Sequence, residues 1–255
     1  MFKRMIVGSL LAAGLAVCLA PAPGASADQG GKKNAATTPQ PQMSLQPNPG
    51  WIKRHDGFVA IAKKGGVEVL FVGDSITAGW DGKGAAPTWK KYFEPLKAEN
   101  FGIGGDRTEH VLWRLQNGEL DGIQPKVVVL MIGTNNTGAN SAEDIADGIK
   151  AIVKMIHDKS KDSKILLLAV FPRGEKPGTT VRAKIDTINK IISALDDGGK
   201  TVKYMDIGSK FTQPDGTLTK EIMPDYLHLS AKGYEIWGDA IAPTVREMAG
   251  VKEGK

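Results

Sequence analysis

The chain has 255 residues, of which 41% are hydrophobic and 24% charged, and its formal net charge is +5. This is the composition of an ordinary globular protein, with room for one large domain or two small ones. The basic residues are spread among acidic ones and form no arginine-rich run. The positive balance therefore gives little support to nucleic-acid binding and favours a solvated surface of mixed charge.

The amino terminus has the layout of a secretory signal peptide. Lys3 and Arg4 form a positive start, an apolar run covers residues 5–20, and small residues at 25–27 provide a cleavage site. We therefore predict that residues 1–27 are removed and that the protein is secreted or periplasmic. A retained membrane anchor is the alternative, but the run is shorter than the ~20 residues that a spanning helix needs.

The only cysteine, Cys18, lies inside this segment. Val17 is the wrong residue type to precede a lipid-modified cysteine, so lipoprotein anchoring at Cys18 is the minor alternative. Without residues 1–27 the chain has no cysteine, which excludes disulfides, thiolate metal sites and a cysteine nucleophile. No integral membrane association is expected after cleavage.

Residues 28–50 are rich in Gln, Pro, Asn, Thr and Gly, and we predict a flexible linker there. The folded domain is expected at residues 51–255, where short apolar runs alternate with longer segments of helical periodicity. The runs lie at residues 67–72, 99–103, 126–132, 164–171 and 201–207, and the helical segments at residues 108–117, 141–159, 179–196 and 230–248. Continuous apolar strands separated by helices predict one α/β domain with a parallel sheet covered on both faces.

Active sites of such sheets lie at the carboxyl ends of the strands. Three predicted strand ends carry polar, glycine-rich sequences, at residues 73–75, 100–106 and 133–136. Ser75 is the last residue of the first of these sequences, and a role as a helix cap would by itself explain a serine there. The same position suits a nucleophile, because its hydroxyl would project over the sheet edge and its N–H would point toward a developing oxyanion.

A serine hydroxyl needs a base that removes its proton, and four histidines are candidates. His55 is expected at the surface, His110 beside the site or in solvent, and His157 near the end of a helix, where the macrodipole suffices to explain it. His228 differs, because Asp225 precedes it by three residues in the loop before the last helix. That spacing lets the carboxylate accept the Nδ1 proton while Nε2 faces the serine. The alternative to a catalytic role is that Asp225 caps a turn and His228 simply packs against its neighbours.

Acyl transfer also needs donors for the oxyanion. The side-chain N–H of Asn135 and the backbone N–H groups of Gly105 and Ser75 are the predicted donors. A nucleotide site is disfavoured because the glycines match neither the P-loop nor the dinucleotide pattern. A zinc or manganese hydrolase is disfavoured because there is no His-Glu-x-x-His motif and no second histidine beside His228. We predict neither a metal nor another cofactor.

In this order, Ser75, Gly105, Asn135 and His228 resemble the four signature residues of the GDSL or SGNH hydrolase family, and Asp225 occupies its triad-acid position. The resemblance runs from residue 51 to the last helix. It is closest to the branch of the brain-type platelet-activating factor acetylhydrolase catalytic subunits, which residues 69–75, 100–106, 111–120, 171–177 and 227–229 look like. The family implies a three-layer α/β/α sandwich with a five-stranded, flavodoxin-like parallel sheet. It also implies a metal-free Ser-His-Asp mechanism and short acyl esters as substrates.

We therefore expect a secreted serine esterase acting on short-chain esters of small molecules or carbohydrates, with acetyl as the expected acyl group. A platelet-activating-factor-like or lysophospholipid acylhydrolase is one alternative. A non-catalytic carbohydrate-binding module on the same fold is another. Gly79, Trp80 and His110 are expected as neighbours of the substrate pocket. The related branch forms dimers, so a homodimer is implied by the resemblance alone, and no nucleic-acid partner is expected.

Overall fold

The computed structural model describes residues 33–42 and 49–251. Five parallel strands form one sheet in the order β2-β1-β3-β4-β5. They are β1 (Val69–Gly73), β2 (Ala98–Gly102), β3 (Val127–Met131), β4 (Lys164–Leu168) and β5 (Val202–Met205). The chain moves from β1 outward to β2 and then crosses to β3 on the other side of β1. This reversal of strand order opens a crevice at the carboxyl ends of β1 and β3, where ligands bind in open α/β sheets.

Helices cover both faces of this sheet. They are α1 (Pro49–Lys64), α2 (Ser75–Ala78), α3 (Ala86–Tyr92), α4 (Thr108–Arg114), α5 (Ala142–Lys159), α6 (Thr180–Ile192) and α7 (Ala231–Met248). The four helices predicted between and after the strands correspond to α4, α5, α6 and α7. Of these, α6 ends earliest relative to prediction, because Ser193–Leu195 tighten into a 3-10 turn. The short α3 was not predicted.

Alternation along the strands divides the apolar residues between two cores. Leu70 and Val72 of β1 pack into a core shared with α1, α4, α5 and α6. Val69 and Phe71 point to the opposite face, into a core shared with α7. The central strands β1 and β3 are therefore buried on both sides, which explains their continuous apolar sequences, whereas the edge strands β2 and β5 are only partly buried. The predicted three-layer α/β/α architecture with a five-stranded parallel sheet is confirmed.

Residues 33–42 belong to the segment predicted as a linker, and the structure corrects that prediction for them. We call these residues the N-terminal strap. Ala36 is fully buried, and its carbonyl accepts a hydrogen bond from Thr108 Oγ1 at 2.8 Å. The Gln40 N–H donates to the carbonyl of Glu109 at 3.2 Å. The strap thus packs against the start of α4 although it has little apolar surface, because hydrogen bonds from its backbone and side chains hold it there.

The rest of the predicted linker up to residue 48, and the predicted signal peptide at residues 1–27, lie outside the described residues. The first helix of the domain starts at Pro49, two positions before the predicted boundary at Trp51. Across residues 33–42 and 49–251, no helix combines the length and the apolar character needed to cross a membrane.

Candidate active site

Three of the predicted site residues, drawn from two distant segments, form one hydrogen-bonded chain. Ser75 Oγ lies 2.9 Å from Nε2 of His228, and Nδ1 of His228 lies 2.7 Å from Oδ2 of Asp225. Because an ionised carboxylate can only accept, Nδ1 carries a proton and Nε2 keeps its lone pair. Nε2 is therefore able to take the proton of the Ser75 hydroxyl, which would make the oxygen a stronger nucleophile.

Ser75 stands at the turn where β1 meets α2, at the carboxyl edge of the sheet. The Asp74 carboxylate caps α2 by accepting a hydrogen bond from the Ile76 N–H at 2.9 Å. On the neighbouring strand β2, any side chain at Gly102 would overlap the backbone of Ala78. The glycine lets α2 rest directly on the strand ends, and this close packing fixes the position of the Ser75 hydroxyl.

A tight turn presents Asp225 and His228 to the serine. Between them, Tyr226 has a φ of 57°, in the left-handed region that non-glycine residues rarely adopt, and its carbonyl accepts the Gly174 N–H at 2.8 Å. Asp225 Oδ1 accepts the backbone N–H groups of Leu227 at 3.1 Å and of His228 at 2.7 Å. Burial opposes ionisation, but these hydrogen bonds and the one from the His228 ring lower the pKa of Asp225 to about 2. Asp225 is therefore ionised at neutral pH and holds the imidazole in place.

The two other predicted donors lie on the same edge of the sheet. Gly105 has a φ of 78°, a conformation that favours glycine, in the loop after β2. Asn135 Nδ2 donates to the carbonyl of Asp106 at 2.9 Å, which leaves its second N–H for another acceptor. A methyl group on Gly104 would lie 3.9 Å from Cβ of Ser75, so this loop runs directly beside the serine. The fold thus brings the loop that holds Gly105 beside Ser75 and hydrogen-bonds Asn135 to the same loop.

One contact at this loop, made by Gln42 of the N-terminal strap, was missed by the sequence reasoning. Gln42 Nε2 donates to the carbonyl of Gly104 at 3.0 Å. A side chain on Gly105 would come within 2.9 Å of the same nitrogen. Gln42 therefore covers the loop that carries Gly105, a predicted oxyanion donor. Nothing in its polar, low-complexity surroundings signals this position.

A buried ionic network supports the same loop. Asp106 accepts hydrogen bonds from Nε1 of Trp51 at 2.7 Å and from Nε of Arg114 at 2.8 Å. Arg114 also pairs with Glu119, whose other oxygen lies 2.9 Å from Nδ1 of His55. Burial raises the pKa of Asp106 to about 6, although Arg114 opposes the shift. The expected surface position of His55 is wrong, since only 4% of it is exposed.

The three residues expected beside the substrate pocket, Gly79, Trp80 and His110, lie in different surroundings. His110 is buried, its Nδ1 accepts the Arg107 N–H at 3.0 Å, and burial lowers its pKa to about 4. It is therefore a neutral cap of α4. Trp80 is buried in an aromatic cluster with Trp237 and does not line the site, so its expected pocket role is wrong. Gly79 does line the groove that contains Ser75.

Two grooves open beside the candidate residues. The first, of about 340 Å³, is lined by Ser75, Gly79 and His228. The second, of about 560 Å³, is lined by Asn135 and Arg173 among others. Both have the size of small-molecule sites. Among the side chains that the structure describes, no group of three or more His, Cys, Asp or Glu is placed to hold a metal ion.

Comparison with known proteins gives a consistent result. The sequence profile of the GDSL-like lipase/acylhydrolase family matches residues 71–236. Over 204 residues the chain is 41% identical to human platelet-activating factor acetylhydrolase IB subunit alpha1, covering 80% of this chain and 86% of that protein. The alpha2 subunit from Gallus gallus is also 41% identical over 204 residues, covering 80% of this chain and 87% of that protein.

A solved structure shows the same fold. A GDSL-like lipase from Bacteroides thetaiotaomicron superposes with a TM-score of 0.62 and 21% identity, covering 76% of this chain and 97% of that one. The family profile spans the segment from the end of β1 to α7, which includes Ser75, Asp225 and His228. The resemblance stated from the sequence motifs is thereby confirmed. The chain belongs to the GDSL-like lipase/acylhydrolase family and is a carboxylic ester hydrolase.

Proposed function

We propose that the protein is a secreted serine esterase in which Ser75 is the nucleophile, His228 the general base and Asp225 the residue that orients His228. The observation that carries this proposal is the hydrogen-bonded chain from Ser75 Oγ through the imidazole to the carboxylate. Ser75 Oγ attacks the acyl carbonyl while its proton passes to Nε2 of His228. The proton then moves from Nε2 to the departing alcohol oxygen, leaving an acyl group on Ser75.

Water completes the reaction by the same route. His228 Nε2 accepts a proton from the water that attacks the acyl carbonyl, and then returns it to Ser75 Oγ as the acid leaves. In both halves the carbonyl oxygen becomes negative, and the N–H groups of Ser75, Gly105 and Asn135 Nδ2 stabilise it. Each such donor typically contributes about 10²–10³ to turnover. The ionised Asp225 stabilises the imidazolium that forms in each half.

The acyl group that we propose is acetyl, carried by a carbohydrate or another small alcohol. The relatives at 41% identity are acetylhydrolases by name, which supports a small acyl group. Their stated substrate, platelet-activating factor, also favours a second candidate, an acylhydrolase of phospholipids with short acyl chains. Acetate release from an acetylated sugar and from platelet-activating factor, measured side by side, separates the two.

The first experiment is hydrolysis of p-nitrophenyl acetate by the protein without residues 1–27. Ser75→Ala should reduce turnover to the background rate, whereas Ser209→Ala, which changes an exposed serine elsewhere, should not. Full activity of Ser75→Ala would overturn the mechanism, and loss of activity with a chelator would favour a metal hydrolase. A wild-type protein that hydrolyses no short ester but is retained on a polysaccharide would instead indicate the binding module.

The secreted location is tested separately. Sequencing the amino terminus of protein recovered from the medium or the periplasm should give Asp28 as the first residue. Protein that stays in the cytoplasm with an intact amino terminus would refute export. Recovery in the membrane with a lipid on Cys18 would support anchoring instead.

A further inference from the structure

The groove on the Asn135 side of the site carries two cations. Arg173 and Lys184 both line it, together with Thr134, Asn135 and Val181. Asn135 is a proposed oxyanion donor, so the groove is continuous with the place where the ester carbonyl would lie. A substrate held there would extend past both positive charges.

Among the acidic side chains that the structure describes, none neutralises either cation. Within residues 33–42 and 49–251, no carboxylate oxygen forms an ion pair with Arg173 or Lys184. Their hydrogen-bond partners are uncharged. Arg173 Nη1 donates to the carbonyl and the hydroxyl of Thr134 at 3.2 and 3.3 Å. Lys184 Nζ donates to the carbonyls of Thr137 and Asn140 at 2.7 and 2.8 Å.

These contacts fix the two charges but leave donors unused. A guanidinium has five N–H groups and an ammonium three, so each cation can serve a ligand as well as the loop that holds it. Both side chains are half-buried, where solvent screens a charge less than at the open surface. Arg173 also lowers the pKa of Asp74, which burial raises, so its field reaches the residue next to Ser75.

We propose that this groove is a subsite for an anionic group on the alcohol part of the ester, and this inference rests on the proposed esterase function. Arg173 is the principal ligand, because its planar fork can bind a carboxylate or a phosphate with two hydrogen bonds. Lys184 adds a second positive charge. The substrate class is therefore a short-chain, acetyl-type ester whose alcohol bears a carboxylate or a phosphate close to the ester oxygen.

The test compares matched pairs of acetyl esters that differ in one charge. One pair is an O-acetylated glucuronic acid and the corresponding O-acetylated glucose. The other is acetylglycerol phosphate and acetylglycerol. We expect kcat/KM of the wild-type protein to favour the anionic member of at least one pair by about tenfold at low salt, and the preference to shrink as salt is added.

Variants locate the preference in the groove. Arg173→Gln and Lys184→Gln should each reduce the anionic-to-neutral ratio of kcat/KM by about threefold or more. The ratio within one variant cancels any general loss of activity caused by the loosened loop. Arg173→Lys should keep part of the preference, because it retains the charge without the fork. The control is Lys190→Gln, which removes an exposed charge from the far end of α6 and should leave the ratio unchanged.

Each outcome decides something different. Equal rates on both members of both pairs would overturn the subsite and leave the esterase function standing. A preference that survives Arg173→Gln and Lys184→Gln would place anion recognition elsewhere and also overturn the inference. Failure to hydrolyse any of the four esters would count against the proposed function itself. Preference in the sugar pair alone or in the glycerol pair alone would support the subsite and identify which anion it receives.

Discussion

Replacing Asp225 by Asn would change one hydrogen bond and keep the others. Asn retains an oxygen that can accept the N–H groups of Leu227 and His228, now bound by Oδ1 at 3.1 and 2.7 Å. The new NH₂ group cannot accept the proton of His228 Nδ1, which now bonds Oδ2 at 2.7 Å. The imidazole should therefore hold its proton on Nε2, facing Ser75, where it can no longer act as the base.

The size of the effect depends on how much solvent reaches the pair. In a serine protease triad with a buried aspartate, the same substitution lowers kcat by about 10⁴. Here 55% of the Asp225 side chain and 45% of the His228 side chain are exposed, so water can partly stabilise the imidazolium. We therefore expect kcat/KM for p-nitrophenyl acetate to fall by about 10²–10³, which corresponds to about 3–4 kcal/mol of transition-state stabilisation.

The assay is steady-state hydrolysis of p-nitrophenyl acetate at pH 8, with unfolding curves to confirm that the variant is folded. Asp215→Asn is the matched control, because Oδ1 of Asp215 likewise accepts an N–H two residues on, from Thr217 at 2.9 Å. It should retain wild-type activity. A loss below about tenfold in Asp225→Asn would show that the carboxylate does not determine which nitrogen of His228 carries the proton.

Three further changes test the surroundings of the serine. Burial raises the pKa of Asp74 from an ordinary 3.8 to about 7, so the wild-type fold loses stability as pH rises through that range and Asp74 ionises. Relative to wild type, Asp74→Asn should therefore gain on the order of 4 kcal/mol of unfolding free energy from pH 4 to pH 8, measured by urea unfolding. Asn135→Ala should lower kcat for p-nitrophenyl acetate by about 10²–10³ with a smaller change in KM, and an unchanged kcat would remove Asn135 from the oxyanion site. In Gly102→Ala the added methyl group would overlap the backbone of Ala78, so the free energy of unfolding should fall by about 1–3 kcal/mol, measured by thermal unfolding. Wild-type stability of this variant would mean that α2 is not held against β2.

The sheet and the hydrogen-bonded arrangement of Ser75, His228 and Asp225 were predictable because their sequence signals are local. The central strands β1 and β3 are buried on both faces and so read as apolar runs, and a polar strand end follows each of them directly in the chain. The Asp225–His228 spacing is also local, since a single turn with Tyr226 in the left-handed region brings the two side chains together. Parallel strands then place Ser75 and Asn135 on one edge with no further information.

The errors concern residues whose surroundings are set by distant partners. His55 lies in a charged stretch, but Glu119, 64 residues further along the chain, makes it part of a buried network. Trp80 follows Ser75 closely in sequence and yet turns into the core beside Trp237. The N-terminal strap reads as a linker because hydrogen bonds and one buried alanine, Ala36, make its contacts, which composition does not reveal.

The N-terminal strap also gives the enzyme an internal reporter of its own active site. The Gln40 amide hydrogen is bound to Glu109 at the start of α4, and Gln42 is bound to Gly104 in the loop before it. When the strap detaches from α4, the Gln40 amide should be released to solvent and exchange its hydrogen for deuterium. The exchange rate at this one position would therefore measure how often the strap that covers the loop beside Ser75 leaves its place, with no substrate present.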